Sequence, residues 1–161
     1  MRVYPCTNLS TVEPNDPIQP EEIVLRRVPE AQMNGGPPFN LSANAFDPHP
    51  TRDTDGLSVY RRAFHTPQEA ADFRTKSKSR AWVAELPVSA ITALGLTIEP
   101  KPLDATADLP AQPGHAVIPA LNSADRKAPK VDEWKQQLVA AVTHVNGPFD
   151  PPIVTSPTDQ A

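Results

Sequence analysis

EIVLRRVP, at residues 22–29, is an apolar and mostly β-branched run that ends at a proline. Such a run predicts a β-strand over residues 22–28, because proline cannot continue the hydrogen-bond ladder. Arg26 and Arg27 stand near its end, and alternation along a strand sends their side chains to opposite faces. The remaining elements are predicted outward from this strand.

Several further segments have the composition of short strands. LSVYR at residues 57–61 alternates with period two, which places Leu57 and Val59 on one face and Ser58 and Tyr60 on the other. Short apolar runs predict other strands at residues 82–86, 96–99 and 116–118.

Three helices are predicted between and after these strands. The sequence TPQE at residues 66–69 combines an N-cap threonine, a proline at the first helical position and a glutamate three residues after the cap, so a helix begins at Pro67 and fades near residues 76–79. A short helix follows Pro87 and ends at Gly95. From Pro129, apolar residues recur every three or four positions as far as Val145, which predicts an amphipathic helix of about 17 residues.

These elements predict an α+β fold in which the helices cover one face of a small mixed or antiparallel sheet. We expect a proline-rich arm at residues 1–20, a single domain at 21–147 and a flexible tail at 148–161. Residues 33–56 form a long loop with a short turn over 41–46, capped by Asn40 or Ser42. The chain contains 21 prolines, so its elements must be short.

Composition narrows the class of protein. The net charge is −4, which argues against nucleic acid as a partner. No apolar run approaches the ~20 residues of a membrane span, and the N-terminus lacks the apolar core of a signal peptide. Cys6 is the single cysteine and has no partner for a disulfide. We therefore expect a soluble cytoplasmic protein.

The familiar catalytic and metal-binding motifs are absent from the sequence. It contains no glycine-rich phosphate loop, no GxSxG elbow, no HExxH and no paired CxxC. The four histidines are far apart and have no i,i+4 partner, so no metal site is predicted. No cofactor is predicted either, and the sequence assigns no catalytic residue.

Five residues are candidates for binding a ligand: Arg27, Ser58, Tyr60, Arg61 and His115. Two arginine pairs, Arg26-Arg27 and Arg61-Arg62, each end a predicted strand, and one arginine of each pair would meet on a common anion if the strands are neighbours. The alternative is that alternation sends one arginine of each pair to solvent and the other to a carboxylate such as Glu85 or Glu99. The polar face of the 57–61 strand would line a cleft opposite the long loop, or would simply face solvent.

His115 follows Gly114, a residue that allows close backbone approach. The histidine would act as a donor or general base, or its ring would only hydrogen-bond a nearby carbonyl group.

The order of LRRVP, SANAF, LSVYR, VAELPVSAITALGL and PGHAVI resembles a group of small uncharacterised bacterial proteins. Members of that group share an LYRR-type start, an S-x-x-AF element, an LSV(Y/D)R strand and a late strand of the PGHA type. The resemblance covers roughly residues 23–145, implies a bacterial source and brings no established activity.

Element order alone also resembles the ADP-ribosyltransferase-like folds. There, an Arg- or His-bearing first strand and a later strand with Ser or Tyr clasp the nicotinamide end of NAD. The resemblance implies that role for Arg27 and for Ser58 or Tyr60. The sequence departs from the pattern because no catalytic glutamate can be placed on a late strand.

Two functions follow as hypotheses. The first is a non-enzymatic accessory protein of the bacterial cytosol that binds a protein partner, since catalytic motifs are missing and proline-rich ends suit extended docking. The second is a nucleotide-binding or ADP-ribosyltransferase-like enzyme whose pocket lies near Arg27, Tyr60 and His115. That pocket would take a nucleotide or another anionic small molecule.

Overall fold

The centre of the computed structural model is a six-stranded antiparallel sheet; the structure describes residues 12–34, 40–74 and 76–152. The strands are β1 (Ile23–Pro29), β2 (Leu57–Arg61), β3 (Ala81–Pro87), β4 (Glu99–Pro100), β5 (His115–Ile118) and β6 (His144–Phe149). Their order across the sheet is β4-β5-β2-β1-β3-β6, and every neighbouring pair is antiparallel. The α+β class and the antiparallel sheet are confirmed.

Short helices and turns connect the strands. The α-helices are α1 (Pro67–Asp72), α2 (Val88–Ala93) and α3 (Pro129–Ala141), and 3₁₀ turns occupy Glu30–Gln32 and Ala43–Phe46. The second 3₁₀ turn confirms the turn expected within the long loop, and Ser42 caps it by accepting a hydrogen bond from the amide of Asn44.

The helices lie on both faces of the sheet, so the prediction of a single covered face is wrong. Val24 and Val28 of β1 pack into the larger cluster that includes residues of α2 and α3. Leu25, on the opposite face of the same strand, packs with Ala70 and Ala71 of α1. A central strand with apolar side chains on both faces needs cover on both sides, and β3 is likewise buried at every residue from Ala81 to Leu86.

The helix-start signal at Thr66 is confirmed in detail. The Thr66 hydroxyl accepts from the amide of Glu69, and the Glu69 carboxylate accepts from the amide of Thr66. The helix nevertheless ends at Asp72, earlier than predicted. Phe73, the next residue, is buried and packs its ring against Tyr60.

The last part of the chain differs most from the prediction. Helix α3 ends at Ala141, and residues expected to continue it form β6 against the edge of β3. The amide and hydroxyl groups of Thr143 both donate to the carbonyl of Glu85, which turns the chain into the sheet. Phe149 pairs with Ala81 and packs against the cluster on the face of α1, so the sheet extends past the predicted domain end at residue 147. Residues 153–161 of the predicted tail lie outside the described residues.

Arg61 binds part of the predicted N-terminal arm to the sheet through hydrogen bonds. Its guanidinium group donates to both carboxylate oxygens of Glu22 at 2.9 Å and to the carbonyls of Pro14 and Asp16. Arg61 is 0% exposed. Ile18, two residues after Asp16, packs against the core. Residues 1–11 of the arm lie outside the described residues.

We expect Glu22→Ala to lower the free energy of unfolding by about 3–5 kcal/mol, because the buried guanidinium of Arg61 would lose its counter-charge. Urea denaturation monitored by tryptophan fluorescence measures this. The matched control is Glu133→Ala, which breaks an exposed ion pair with Lys130 and should change stability by less than about 0.5 kcal/mol. Equal effects in the two variants would contradict the structural role assigned to Arg61.

Candidate functional site

A cleft of about 180 Å³ lies between β1, β2 and the loop at residues 47–53. Its wall includes Arg27, Ser58 and Tyr60, three of the residues proposed from the sequence. Four arginines line the same cleft: Arg26, Arg27, Arg52 and Arg74.

Arg26 reaches the cleft because the pairing of β1 and β2 is short. The two strands pair at Val24 with Arg61 and at Leu25 with Tyr60. Beyond these residues the side chain of Arg26 supplies the hydrogen bonds, donating through Nε to the carbonyl of Ala45 at 3.1 Å and through Nη1 to that of Ser58 at 3.0 Å. The guanidinium group is therefore fixed beside Ser58.

Arg27 is fixed by helix α1. Its Nε donates to the carbonyl of Ala71 at 3.0 Å, one of the carbonyls that the end of a helix leaves without an intrahelical partner. Arg74 follows the same helix end and lines the cleft as well. The early end of α1 thus brings two arginines together.

The four arginines are electrostatically unbalanced. Among the described residues, none of them lies within ion-pair distance of a carboxylate. Two aspartates line the cleft, but Asp47 already pairs with Arg126 at 3.2 Å and Lys135 at 3.3 Å. Asp53 is the remaining carboxylate of the wall.

The pKa values of three of these arginines are lowered, chiefly by burial and secondly by neighbouring cations. Burial and then the neighbouring cation of Arg74 lower the pKa of Arg27 to about 10. The pKa of Arg52 is lowered by burial and again by Arg74, and burial lowers that of Arg26. Arginine side chains are not deprotonated in proteins, so an anion that entered the cleft would relieve the repulsion among these cations.

Ser58 and His115 form a hydrogen-bonded pair at the wall of the cleft. The Oγ of Ser58 lies 3.1 Å from Nε2 of His115, and Nδ1 of His115 lies 2.8 Å from the carbonyl of Lys101. The same Oγ lies 3.3 Å from Oδ1 of Asp53, whose Oδ2 accepts from the amide of His49. The hydrogen bond to a carbonyl that the sequence suggested for His115 is present, and the histidine also reaches the cleft through Ser58.

His115 is buried in an aromatic group rather than exposed in the cleft. Its ring meets that of Tyr60 edge-on at 5.6 Å between centroids, and Tyr60 also contacts His65 and Phe73. Burial lowers the pKa of His115, and it raises the pKa of Tyr60. Both side chains are therefore neutral at pH 7.

The close approach expected at Gly114 is also present. Its amide donates to Nε2 of His65 at 2.9 Å, and a Cβ at this position would lie 2.6 Å from the His65 ring. Burial lowers the pKa of His65, in agreement with a ring nitrogen that accepts a hydrogen bond.

The structure brings together four of the five proposed residues. Arg27, Ser58 and Tyr60 line the cleft and His115 supports it, whereas Arg61 is buried against Glu22 and lines no part of it. The proposed convergence of one arginine of each pair on a common anion is therefore wrong, because neither Arg61 nor Arg62 lines the cleft. The expected pairing with a glutamate of the sheet holds for the neighbouring Arg62, which pairs with Glu85 at 2.7 Å.

Four residues of the site were not proposed from the sequence: Arg26, Arg52, Arg74 and Asp53. Strand alternation argued against Arg26 joining Arg27. The signal available for Arg52 and Asp53 was the length and proline content of the 33–56 loop, which lacks a regular period that would orient its side chains.

Comparison of the chain with protein-family models, with curated proteins and with solved structures gives no match. Within the described residues, no helix has the length and apolar character to cross a membrane. No group of three or more His, Cys, Asp or Glu side chains in that part of the chain is placed to hold a metal ion.

We expect the free energy of unfolding to fall as the pH is lowered from about 7 to about 5.5, through the ordinary histidine pKa of about 6.5. Because burial lowers the pKa values of His65 and His115 in the folded state, the unfolded chain binds more protons in this window, and acid favours it. Urea titrations at several pH values measure the slope. His65→Gln and His115→Gln should each flatten it, and a slope unchanged in both variants would contradict the assignment.

Proposed function

We propose that the cleft binds a phosphate-bearing small molecule, with nucleotides as the first class to test. The observation that carries the proposal is the group of four arginines around the cleft, none with a carboxylate at ion-pair distance among the described residues. Guanidinium groups that are partly buried without a counter-charge raise the free energy of the folded state, and a bound anion lowers it.

The local charge is opposite to that of the whole chain. The net charge is −4, yet this wall carries four cations against the single unpaired carboxylate of Asp53. A concave wall of one sign concentrates counter-ions in its vicinity. This excess of positive charge in the wall therefore favours a ligand with more than one negative charge.

The size and donor geometry of the cleft favour phosphate. Its volume of about 180 Å³ is below the roughly 300–1,000 Å³ of pockets that enclose a whole drug-sized ligand. It would hold a phosphate-sized head group while the rest of the ligand lies over Pro48 and Pro50 at the rim. Guanidinium forks match the oxygen spacing of phosphate well.

The accessory role and the protein partner that the sequence favours remain predictions. A partner could bind at β6, which lies at the edge of the sheet and, among the described residues, has no neighbouring strand on one side. Addition of an extended segment to such an edge is a common mode of recognition. This site and the cationic cleft are separate features, and their tests are separate.

We expect inorganic phosphate and ADP to raise the melting temperature, and adenosine to leave it unchanged because it lacks the charged group. Isothermal titration calorimetry should give an affinity that falls with added sodium chloride. Arg74→Ala should weaken the binding of phosphate ~10-fold or more, because a charge-assisted hydrogen bond contributes about 1.5–3 kcal/mol.

The control for this experiment is Lys127→Ala. It removes one positive charge, as Arg74→Ala does, but Lys127 is exposed and lies outside the cleft. The proposal fails if none of the phosphate ligands binds, or if the two variants weaken binding equally.

A further inference from the structure

Ser58 lines the cationic cleft, and its hydroxyl group lies within hydrogen-bond distance of a histidine. Nε2 of His115 lies 3.1 Å from Oγ of Ser58. The Nη1 of Arg26 lies 3.0 Å from the carbonyl oxygen of the same serine. Because Arg26, Arg27 and Ser58 line the same cleft, an anion bound by the two arginines would lie near the serine.

The hydrogen bond of His115 to Lys101 decides which ring nitrogen carries the proton. A carbonyl oxygen only accepts, so Nδ1, at 2.8 Å from it, must donate. In the neutral ring, Nε2 then has a free lone pair directed at Ser58. This is the arrangement by which a histidine removes the proton of a serine nucleophile, with a carbonyl as the group that orients the ring.

We propose that Ser58 is a nucleophile activated by His115, and that the cleft hydrolyses a phosphate monoester through a phosphoserine intermediate. The inference rests on the phosphate-binding role proposed above. It adds a reaction to that site: Ser58 and His115 are the catalytic residues, and the carbonyl of Lys101 positions the base.

The first step transfers the phosphoryl group to the protein. The Oγ of Ser58 forms a bond to phosphorus while the bond from phosphorus to the ester oxygen breaks. The hydroxyl proton passes to Nε2 of His115 and then to the departing alkoxide, which leaves as an alcohol. The arginines bind the non-bridging oxygens, which carry the negative charge during the transfer.

The second step uses water and regenerates the serine. A water molecule gives a proton to Nε2 of His115 and attacks the phosphorus, the bond from phosphorus to Oγ breaks, and the proton returns to Ser58. The products are an alcohol and inorganic phosphate. The carboxylate of Asp53, which favours the protonated ring of His115, stabilises the imidazolium in both steps.

Hydrolysis of 4-nitrophenyl phosphate by the purified full-length chain tests the inference. We expect release of nitrophenolate and, after acid quenching, an intact mass increased by one phosphoryl group. Ser58→Ala should abolish both signals, and His115→Gln should lower the rate ~10²-fold or more. A contaminating phosphatase would be unaffected by Ser58→Ala.

The control variant is Ser89→Ala, an exposed serine on α2 that should keep the full rate. Phosphate-induced stabilisation of Ser58→Ala, measured in parallel, shows that this variant folds and still binds. If the wild-type chain binds phosphate but releases no more nitrophenolate than Ser58→Ala, the nucleophile is disproved and the binding function stands. If phosphate does not bind, the proposed function fails and the reaction fails with it.

Discussion

The two-residue pairing of β1 and β2 is the constraint on which the candidate site depends. A longer ladder would bond the carbonyl of Ser58 to a backbone amide and would leave no opening between the strands. Instead, the side chain of Arg26 donates to that carbonyl, and the gap between the two strands is wide enough for a cleft. On its other side β1 pairs with β3 along its full length, so the opening does not disrupt the centre of the sheet.

Arginine side chains complete the backbone hydrogen bonding around this opening. Arg26 bonds the carbonyls of Ala45 and Ser58, Arg27 bonds that of Ala71, and Arg61 bonds two carbonyls of the N-terminal segment. Each satisfies acceptors that would otherwise be buried without a donor. Arg61 also has the carboxylate of Glu22, whereas the described residues offer Arg26 and Arg27 no such partner. The charge of Arg61 therefore stabilises the fold through Glu22, whereas the charges of Arg26 and Arg27 are available for a ligand.

How much the sequence predicted depends on the range of each interaction. The capping box at Thr66, the cap at Ser42 and the alternation of Ser58 and Tyr60 are decided within a few residues, and the structure confirms them. The end of α3 was wrong because Val142 and Val145 fit the helical period while their β-branched side chains also suit a strand. The edge of β3, distant in sequence, decides between the two states. Arg26 was missed because alternation directs it toward Ala45 and directs Arg27 toward Ala71 on the opposite face. Both arginines line one cleft only where the pairing of β1 with β2 ends.

Asp53 and His115 both contact the hydroxyl group of Ser58, and the number of available protons limits which of these hydrogen bonds can form. Ser58 has one hydroxyl proton, and both Oδ1 of Asp53 and Nε2 of His115 lie within reach of its oxygen. With His115 neutral, Nδ1 uses the single ring proton for the carbonyl of Lys101, so Nε2 can only accept a hydrogen bond. Nε2 and Oδ1 of Asp53 therefore compete for the one hydroxyl proton of Ser58. Oδ2 of Asp53 accepts from the amide of His49 in either case, and Oδ1 loses its donor when the hydroxyl turns to Nε2. Asp53 lines the cleft together with the arginines, and its charge partly neutralises Arg26 and Arg52. An entering anion must therefore interact with the cations more strongly than this one carboxylate does.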